Sequence, residues 1–445
     1  MKTVLKILGS AVLVVLCLAV LAFSGYFLLS AIPRDREEPQ VLSTDQFFRA
    51  EEAEAEAPPP AEEVPATEET LEAAEEVPPA EEEPEQAPEP ETEEAAPSDV
   101  AQLAQAYLQA MTLEEKLWQL IVTTPEDLTG KSPVTLAGEQ TRASLEARPV
   151  GGLCYFSANL VDRDQTAEML TLTQSYAKTP LFLAVDEEGG NVSRVGANEA
   201  MGVTWFDPAA SYGESGDVAQ VYNVGKTIAQ ELGELGFNLD FAPVADIVTN
   251  PNNTEIGDRA YSDDPAVAAP MVSAMVEGLQ RGGMLSCLKH FPGHGSTEAD
   301  SHEGLSVSTR TLEELRSTEW QTFRAGIESG AAFVMVGHQT NRNLSDLPAS
   351  LSPEVMGYLR DELGFEGIII TDSLKMGAIV NDYTSAQAAV LAIQAGADMI
   401  LMPNDLDTAY HGLLSAVTDG ALTEDRINES VLRILTAKYR FGIME

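Results

Sequence analysis

The chain has 445 residues, enough for two or three domains of ordinary size or for one large domain with appendages. It carries 71 Asp and Glu residues against 26 Lys and Arg residues, a formal net charge of -45. Such a charge opposes binding to nucleic acids and to anionic lipid surfaces, so we expect no nucleic-acid partner. The acidic residues are unevenly spread and divide the chain into three regions, 1–36, 37–99 and 100–445.

The first region, residues 1–36, contains an apolar stretch without any charge at 7–32, preceded by Lys2 and Lys6. As a helix this stretch would reach about 39 Å, enough to cross a bilayer. We therefore predict a single membrane-spanning anchor, and the two lysines favour a cytoplasmic N-terminus with everything after Ile32 outside. The alternative is a cleaved signal peptide, because Ala-Phe-Ser at 22–24 resembles a cleavage site. The rest of the chain would then be secreted.

The second region, residues 37–99, repeats Glu, Ala and Pro and holds 23 acidic residues, one basic residue and 11 of the 25 prolines. Such a composition buries too little apolar surface to offset the entropy lost on ordering the chain. We predict a disordered acidic linker. Proline and charge repulsion extend a linker of this kind, to on the order of 190 Å at about 3.1 Å per residue. It would carry a domain from the membrane into a cell wall, or serve only as a solubilising stalk.

The third region, residues 100–445, alternates short apolar runs with segments of helical period such as 218–235. The runs are LIVTT from Leu120, GGLCYF from Gly151, LFLAVD from Leu181, FNLDFAP from Phe237, MLSCLKHF from Met284, AFVMVGH from Ala332, GIIITD from Gly367 and DMILMP from Asp398. Strands that alternate with helices indicate an α/β fold with a parallel sheet. Eight such units predict a single (β/α)8 TIM-type barrel. An open doubly wound sheet is the alternative, but no glycine-rich phosphate motif follows the first strand.

Polar residues close several of these predicted strands, where a (β/α)8 barrel places its catalytic groups. They are Asp186, Lys289, His290, His338 and Asp372. A strand-end aspartate such as Asp372 is a candidate nucleophile toward an electrophilic carbon if another group protonates the leaving group. Taken alone, it is as often a helix cap or a structural acceptor.

The segment KHFPGHGSTEADSH, residues 289–302, contains three of the five histidines. Its Pro-Gly-His-Gly run predicts a turn leading into an exposed loop. Asp300 would accept a hydrogen bond from the imidazole of His302 and stabilise its cation, which makes this pair a candidate acid/base dyad. We interpret His294, between two glycines, as a structural residue of the turn.

A metal hydrolase is the main enzymatic alternative, because His290, His294, Asp300 and His302 are of types that bind zinc. Their spacing fits no standard zinc motif. We therefore predict that the chain uses no metal and no cofactor.

Together these segments resemble the β-N-acetylglucosaminidase branch of glycoside hydrolase family 3, over the whole of residues 100–445. The segments that carry the resemblance are, in chain order, AVDEEGGNVSRV, FAPVADI, IGDRAYSDDP, KHFPGHGSTEADSH, TDSLKMGAI and AKYRFG. The chain departs from the family pattern at Asn191, where many relatives have Arg.

The resemblance implies a retaining double displacement. Asp372 would attack the anomeric carbon, and His302, paired with Asp300, would act first as general acid and then as base. Most retaining glycosidases use two carboxylates instead. The family's sugar-binding residues, which would hold the hydroxyl and N-acetyl groups of the terminal sugar, correspond to Asp186, Arg194, Arg259, Lys289 and His290.

The function expected from this resemblance is exo-hydrolysis of terminal β-linked GlcNAc from a carbohydrate partner, with peptidoglycan fragments as the first substrate to test. We expect the chain to act as a monomer. Two alternatives on the same scaffold are a phosphorylase, since a histidine acid/base does not repel phosphate, and a β-glucosidase-type activity. An alternative of another class is a membrane-tethered wall-binding protein, but this would be expected to lack Asp372 or His302, and both are present.

Overall fold

The computed structural model describes residues 97–297 and 306–445, which build a barrel of parallel strands surrounded by helices. The predicted membrane-spanning segment at 7–32 lies outside the described residues, as does the acidic linker up to residue 96. The last three linker positions, 97–99, already belong to the first described helix. Within the described parts of the chain, every helix is too short or too polar to cross a bilayer.

The described residues contain twelve strands. They are β1 (Ile121–Thr123), β2 (Gly152–Cys154), β3 (Phe182–Val185), β4 (Glu187–Gly189), β5 (Val192–Ser193), β6 (Leu239–Asp240), β7 (Leu285–Phe291), β8 (Val307–Ser308), β9 (Phe333–Val336), β10 (Thr340–Asn341), β11 (Ile368–Ser373) and β12 (Met399–Leu401).

Eight strands close the barrel, in the order β1, β2, β3, β6, β7, β9, β11, β12 and back to β1. Every neighbouring pair is parallel. Each of the eight apolar runs of the sequence supplies one barrel strand, so the prediction of a (β/α)8 barrel is confirmed. The other four strands form two small sheets beside the barrel, an antiparallel β4–β5 hairpin and a parallel β8–β10 pair.

Helices precede the first barrel strand, occupy the connections between the strands and follow the last one. They are α1 (Pro97–Ala110), α2 (Leu113–Gln119), α3 (Pro125–Thr129), α4 (Glu139–Ala147), α5 (Arg163–Tyr176), α6 (Ala209–Ser215), α7 (Val218–Leu235), α8 (Pro265–Arg281), α9 (Leu312–Ser317), α10 (Glu319–Glu328), α11 (Pro353–Gly357), α12 (Gly377–Val380), α13 (Ser385–Ala395), α14 (Leu406–Thr418) and α15 (Glu424–Arg440).

The helix α7 shows how local sequence sets these elements. Its N-cap Asp217 accepts a hydrogen bond from the Gln220 backbone N–H at 3.0 Å, and Gly236, at φ +106°, ends the helix. The apolar residues that recur at helical spacing are buried, and they are Val221, Val224, Ile228, Leu232 and Leu235. The neighbouring helix α8 approaches closely at Gly278, where an added Cβ would lie only 2.3 Å from the Tyr222 carbonyl oxygen. The glycine therefore permits this helix contact.

A buried lysine from the last helix lies at the amino end of the barrel. Lys438 has no exposed surface, and its Nζ donates to Gln119 Oε1 at 2.8 Å and to the Gly151 carbonyl oxygen at 3.1 Å. The same Nζ lies 4.8 Å from the centroid of the Phe182 ring. Burial lowers the pKa of Lys438 to about 7, because the charged form loses its hydration.

This lowered pKa predicts a pH-dependent contribution to stability. An unfolded lysine titrates near about 10.4, so between about pH 7 and pH 10 the folded chain binds fewer protons at Lys438 than the unfolded chain. The contribution of Lys438 to the unfolding free energy therefore rises with pH. We expect the unfolding free energy of the wild type, relative to Lys438→Met, to increase by up to about 1.4 kcal/mol per pH unit from pH 7 to 9 in urea titrations. The variant Lys131→Met, at an exposed position, is the control, and its unfolding free energy should depend on pH as that of the wild type does. A difference between wild type and Lys438→Met that does not change with pH would contradict the assignment.

Candidate active site

The polar side chains that the sequence places at strand ends stand at one end of the barrel. Asp186 directly follows β3, Lys289 and His290 lie in the last part of β7, and Asp372 lies near the end of β11. Arg259 reaches the same end from a short 3-10 turn in the connection after β6. The carboxyl ends of parallel barrel strands share one face, which is where (β/α)8 enzymes bind their substrates.

Irregular strand pairing occurs where the site residues stand. The pairing of β7 with β9 shifts register between Leu288 and Phe291, around Lys289 and His290. The pairing of β11 with β12 shifts between Ile370 and Ser373, around Asp372. An irregularity of this type bends a strand locally and changes the direction of its side chains. The sequence contains no signal that predicts either shift.

A cluster of four charged residues forms the centre of the candidate sugar pocket. Lys289 Nζ lies 2.7 Å from Asp186 Oδ1 and also forms an ion pair with Glu188 Oε1. Arg259 binds Glu188 through two parallel bonds, Nε to Oε2 at 2.8 Å and Nη2 to Oε1 at 2.9 Å. The structure thus brings together three of the residues predicted to bind sugar, and it adds Glu188, which the sequence analysis missed. The two adjacent carboxylates of the AVDEEGG motif were the available signal.

Electrostatics keep Glu188 and Lys289 of this cluster ionised. Burial alone would raise the pKa of Glu188, but the charges of Arg259 and Lys289 outweigh it and hold that pKa well below its usual range. Burial alone would lower the pKa of Lys289, but Asp186 and Glu188 raise it above its ordinary value. Both cations therefore remain charged in a site that excludes most water.

The second predicted sugar-binding residue of β7, His290, is oriented by a buried aspartate. Asp246 Oδ2 lies 2.7 Å from His290 Nδ1 and accepts the His290 backbone N–H at 3.1 Å, while Oδ1 accepts the His294 backbone N–H at 2.6 Å. Burial opposes ionisation of Asp246, but its interactions with His290 and His294, which include the hydrogen bonds above, outweigh burial and lower the pKa of Asp246. Nδ1 of His290 therefore carries a proton and donates it, which leaves Nε2 as the ring atom that a ligand would meet.

His294 has contacts typical of a turn residue. Its ring is buried, with Nδ1 3.0 Å from Thr297 Oγ1 and Nε2 3.4 Å from Glu255 Oε2. The adjacent Gly293 has φ +126°, and a Cβ there would lie 2.7 Å from Glu319 Cγ, so this turn requires glycine.

The proposed acid/base pair, Asp300 and His302, lies outside the described residues. The chain on either side of 298–305 is held together, since Ser296 Oγ lies 2.9 Å from Ser308 Oγ. Asn253 Nδ2 also donates to the carbonyl oxygen of His294 at 2.9 Å. Ser296 and Ser308, which border these undescribed positions, therefore lie next to each other on the side of the barrel where β7 ends.

The backbone around Asp372 is fixed by two hydrogen bonds. The Ser373 backbone N–H donates to Asp372 Oδ1 at 2.6 Å, and the Ser373 carbonyl oxygen accepts a bond from His338 Nε2 at 2.8 Å. His338 Nδ1 lies 2.7 Å from Ser350 Oγ. Because a carbonyl oxygen only accepts, Nε2 of His338 is the protonated nitrogen. His338, which the sequence places at a strand end without a defined role, therefore supports the position of the candidate nucleophile.

The remaining predicted binding residue, Arg194, follows the β4–β5 hairpin, and its Cζ lies 5.9 Å from the centroid of the Phe156 ring. Asn191, where many relatives have Arg, is exposed at the tip of this hairpin.

Within residues 97–297 and 306–445, no group of three His, Cys, Asp or Glu side chains is arranged to hold a metal ion.

The sequence model of the glycosyl hydrolase family 3 N terminal domain matches residues 112–437. The chain belongs to this family. A β-hexosaminidase of Xylella fastidiosa is 34% identical over 331 residues, which is 72% of this chain and 96% of that protein. β-Hexosaminidase A of Pseudoalteromonas piscicida is 31% identical over 321 residues. The match covers 65% of this chain and 53% of that protein, so the present chain spans about half the length of this relative.

Among solved structures, the family 3 β-N-acetylglucosaminidase from Paenibacillus sp. str. FPU-7 is 36% identical, with a TM-score of 0.71. The match covers 75% of this chain and 63% of that one. The assignment to the β-N-acetylglucosaminidase branch of family 3, made from the sequence motifs, is confirmed by these relatives.

The orientation of His290 by Asp246 leads to a testable prediction. Replacing Asp246 with Asn puts an amide NH2 against N–H donors that the carboxylate accepts, so we expect a loss of about 2–3 kcal/mol in unfolding free energy at neutral pH. The same change releases the His290 ring and should lower kcat/KM at least tenfold on an aryl β-GlcNAc. Urea unfolding and steady-state kinetics measure the two effects.

The pH dependence of this stability difference has a definite sign. Asp246 has a lowered folded pKa, so its contribution is present above its unfolded pKa of about 3.9 and is lost as pH falls toward the folded value. The advantage of the wild type over Asp246→Asn should therefore shrink below about pH 4. The exposed Asp263→Asn variant is the matched control and should behave like the wild type. Equal stability of wild type and Asp246→Asn at neutral pH would refute this role.

Proposed function

We propose that this protein is a retaining exo-β-N-acetylglucosaminidase that hydrolyses terminal β-linked GlcNAc. One observation carries the proposal. The candidate nucleophile Asp372 stands at the same end of the barrel as the charged cluster of Asp186, Glu188, Arg259 and Lys289, in a chain of family 3. A carboxylate beside a group of hydroxyl-binding side chains suits attack on a sugar held in one orientation.

The reaction proposed has two displacements. In the first displacement, an oxygen of Asp372 forms a bond to the anomeric carbon. The bond between that carbon and the leaving-group oxygen breaks, and His302 gives its proton to the leaving-group oxygen. In the second, His302 takes a proton from water, the water oxygen bonds to the anomeric carbon, and the carboxylate of Asp372 departs. Two inversions give net retention, and Asp300 would stabilise the imidazolium in both steps.

The sugar would be held by the residues of the charged cluster and by His290. Asp186 is part-exposed beside Lys289, so its carboxylate would accept sugar hydroxyls while the ammonium donates to them. Nε2 of His290, whose Nδ1 is engaged by Asp246, would accept a further hydroxyl. Arg194 and Arg259 would complete the contacts to the hydroxyl and N-acetyl groups.

Fragments of peptidoglycan in which GlcNAc is linked to MurNAc are the natural substrate we propose. The support lies in the N-terminal sequence, because an anchor at 7–32 and an acidic spacer at 37–99 would hold the enzyme on the outer side of a cell membrane. If the N-terminal segment is cleaved, the same domain would meet its substrate as a secreted enzyme.

The nucleophile is tested first. Asp372→Ala should lower kcat on an aryl β-GlcNAc by on the order of 10⁴-fold or more, because the covalent intermediate then has no attacking oxygen. Asp372→Asn keeps an acceptor for the Ser373 N–H and should be equally inactive with an unchanged thermal unfolding profile. The exposed Asp382→Asn variant is the control for loss of an aspartate near this strand.

Two aryl glycosides separate this function from a β-glucosidase. The wild type should turn over the β-GlcNAc glycoside and hydrolyse the β-glucoside much more slowly.

Near-normal turnover by Asp372→Ala would show that another residue is the nucleophile.

The acid/base pair is tested by leaving groups. His302→Ala should slow a substrate with a poor leaving group far more than one with an activated phenol, because the phenolate departs without a proton. Asp300→Ala should show the same pattern more weakly, since the imidazole remains but loses its partner. Steady-state rates for both aryl substrates measure the effect. Equal losses on the two substrates, as for a metal ligand, would overturn the assignment of His302.

A further inference from the structure

Glu188 is placed between two cations and has little capacity to bind anything else. Its side chain is 5% exposed, and Oε1 accepts from both Lys289 Nζ and Arg259 Nη2 while Oε2 accepts from Arg259 Nε. Asp186, by contrast, is 19% exposed, and within the described residues its one ion pair is with Lys289. The two carboxylates therefore differ in role. Asp186 is placed to contact a ligand. Glu188 contacts Lys289 and Arg259, the two cations that would themselves contact the ligand.

The two cations come from separate parts of the chain. Lys289 belongs to β7, Arg259 to the turn Gly257–Arg259 after β6, and Glu188 to the β4–β5 hairpin after β3. Lys and Arg side chains have many rotamers, and each loses entropy when it is fixed. A carboxylate that binds both at once orders them together and sets the distance between the ammonium and the guanidinium.

Repulsion between the cations makes this link necessary. Lys289 Nζ and Arg259 Nη2 both contact Glu188 Oε1, so the two groups lie close enough to repel, and Asp186 and Glu188 offset that repulsion. Without Glu188, Asp186 would balance only one of the two positive charges. The ammonium and the guanidinium would then separate, and the spacing of donors presented to a sugar would change.

We propose that Glu188 is the positioning residue of the sugar pocket, which holds Lys289 and Arg259 at the spacing that binds the terminal sugar. This role rests on the proposed function for the identity of that sugar. Glu188 itself touches no substrate, and it acts through the two cations.

The test is a double-mutant cycle with the full-length chain and an aryl β-GlcNAc. Glu188→Gln should lower kcat/KM at least 100-fold in the wild-type background. In the Lys289→Met background the same change should cost at least tenfold less, because one of the groups it positions is gone. A residue that only stabilises the fold would reduce kcat/KM by the same factor in both backgrounds, and that result would overturn the proposal. So would a kcat/KM for Glu188→Gln within threefold of the wild type.

A conservative variant and a matched control complete the design. Glu188→Asp keeps the negative charge but shortens the side chain, so it should recover part of the activity that Glu188→Gln loses. It also replaces Glu188→Gln in the cycle if the latter does not fold. Asp398→Asn removes a buried carboxylate that binds Arg360 and Arg433 at the other end of the barrel. It should lower the melting temperature while leaving kcat/KM within threefold of the wild type.

The wild-type enzyme separates the two proposals. If it hydrolyses an aryl β-glucoside and not the β-GlcNAc glycoside, the proposed function is wrong. The cycle is then measured on the glucoside, and equal losses in the two backgrounds would still refute the role of Glu188.

Discussion

The ion pairs of the buried Lys289 ammonium with Asp186 and Glu188 are the constraint on which the candidate site depends. A buried charge without a partner costs several kcal/mol, so the two carboxylates together stabilise the buried position of Lys289. Those carboxylates lie on the connection after β3, and Glu188 also fixes Arg259 of the connection after β6. Three separate segments must therefore dock correctly for all of these charges to be paired. The same requirement that stabilises the fold thus assembles the donors and acceptors of a sugar pocket.

The opposite end of the barrel uses buried charges differently. Asp398, just before β12, binds Arg360 and Arg433 and accepts the Ile369 backbone N–H at 2.9 Å, and no part of its side chain is exposed. Lys438 has its acceptors on the segments that precede β1 and β2. At this end Asp398 and Lys438 are fully buried, and their contacts join helix to strand. Binding is assigned to the carboxyl end because the strand-end residues Asp186, Lys289, His290 and Asp372 gather there, where (β/α)8 enzymes bind their substrates.

The barrel and most of its polar strand ends were predictable because their signals are local. An apolar run bounded by turn residues marks each strand, and a charged residue at the end of a run must stand at the barrel rim, as Asp186 and Asp372 do. Glu188 was not predictable in the same way, because its role depends on Arg259, 71 residues away. The bond of His338 to the Ser373 carbonyl and the shifted pairing of β7 and β11 are likewise tertiary. The contacts that the sequence analysis missed form only when the closed barrel brings distant segments of the chain together.

The charge balance of the site gives a physical reason for a histidine acid/base in the proposed mechanism. Among the described residues, three carboxylates, on Asp186, Glu188 and Asp372, stand at this end of the barrel, and Lys289 and Arg259 pair with the first two of them. A fourth carboxylate close by would be repelled in its ionised form, which disfavours the base required in the second displacement. An imidazole escapes this penalty, because it is neutral as a base and positive as an acid. In the proposed mechanism the imidazolium form of His302 gives its proton to the leaving group, and the neutral form takes a proton from water in the second displacement.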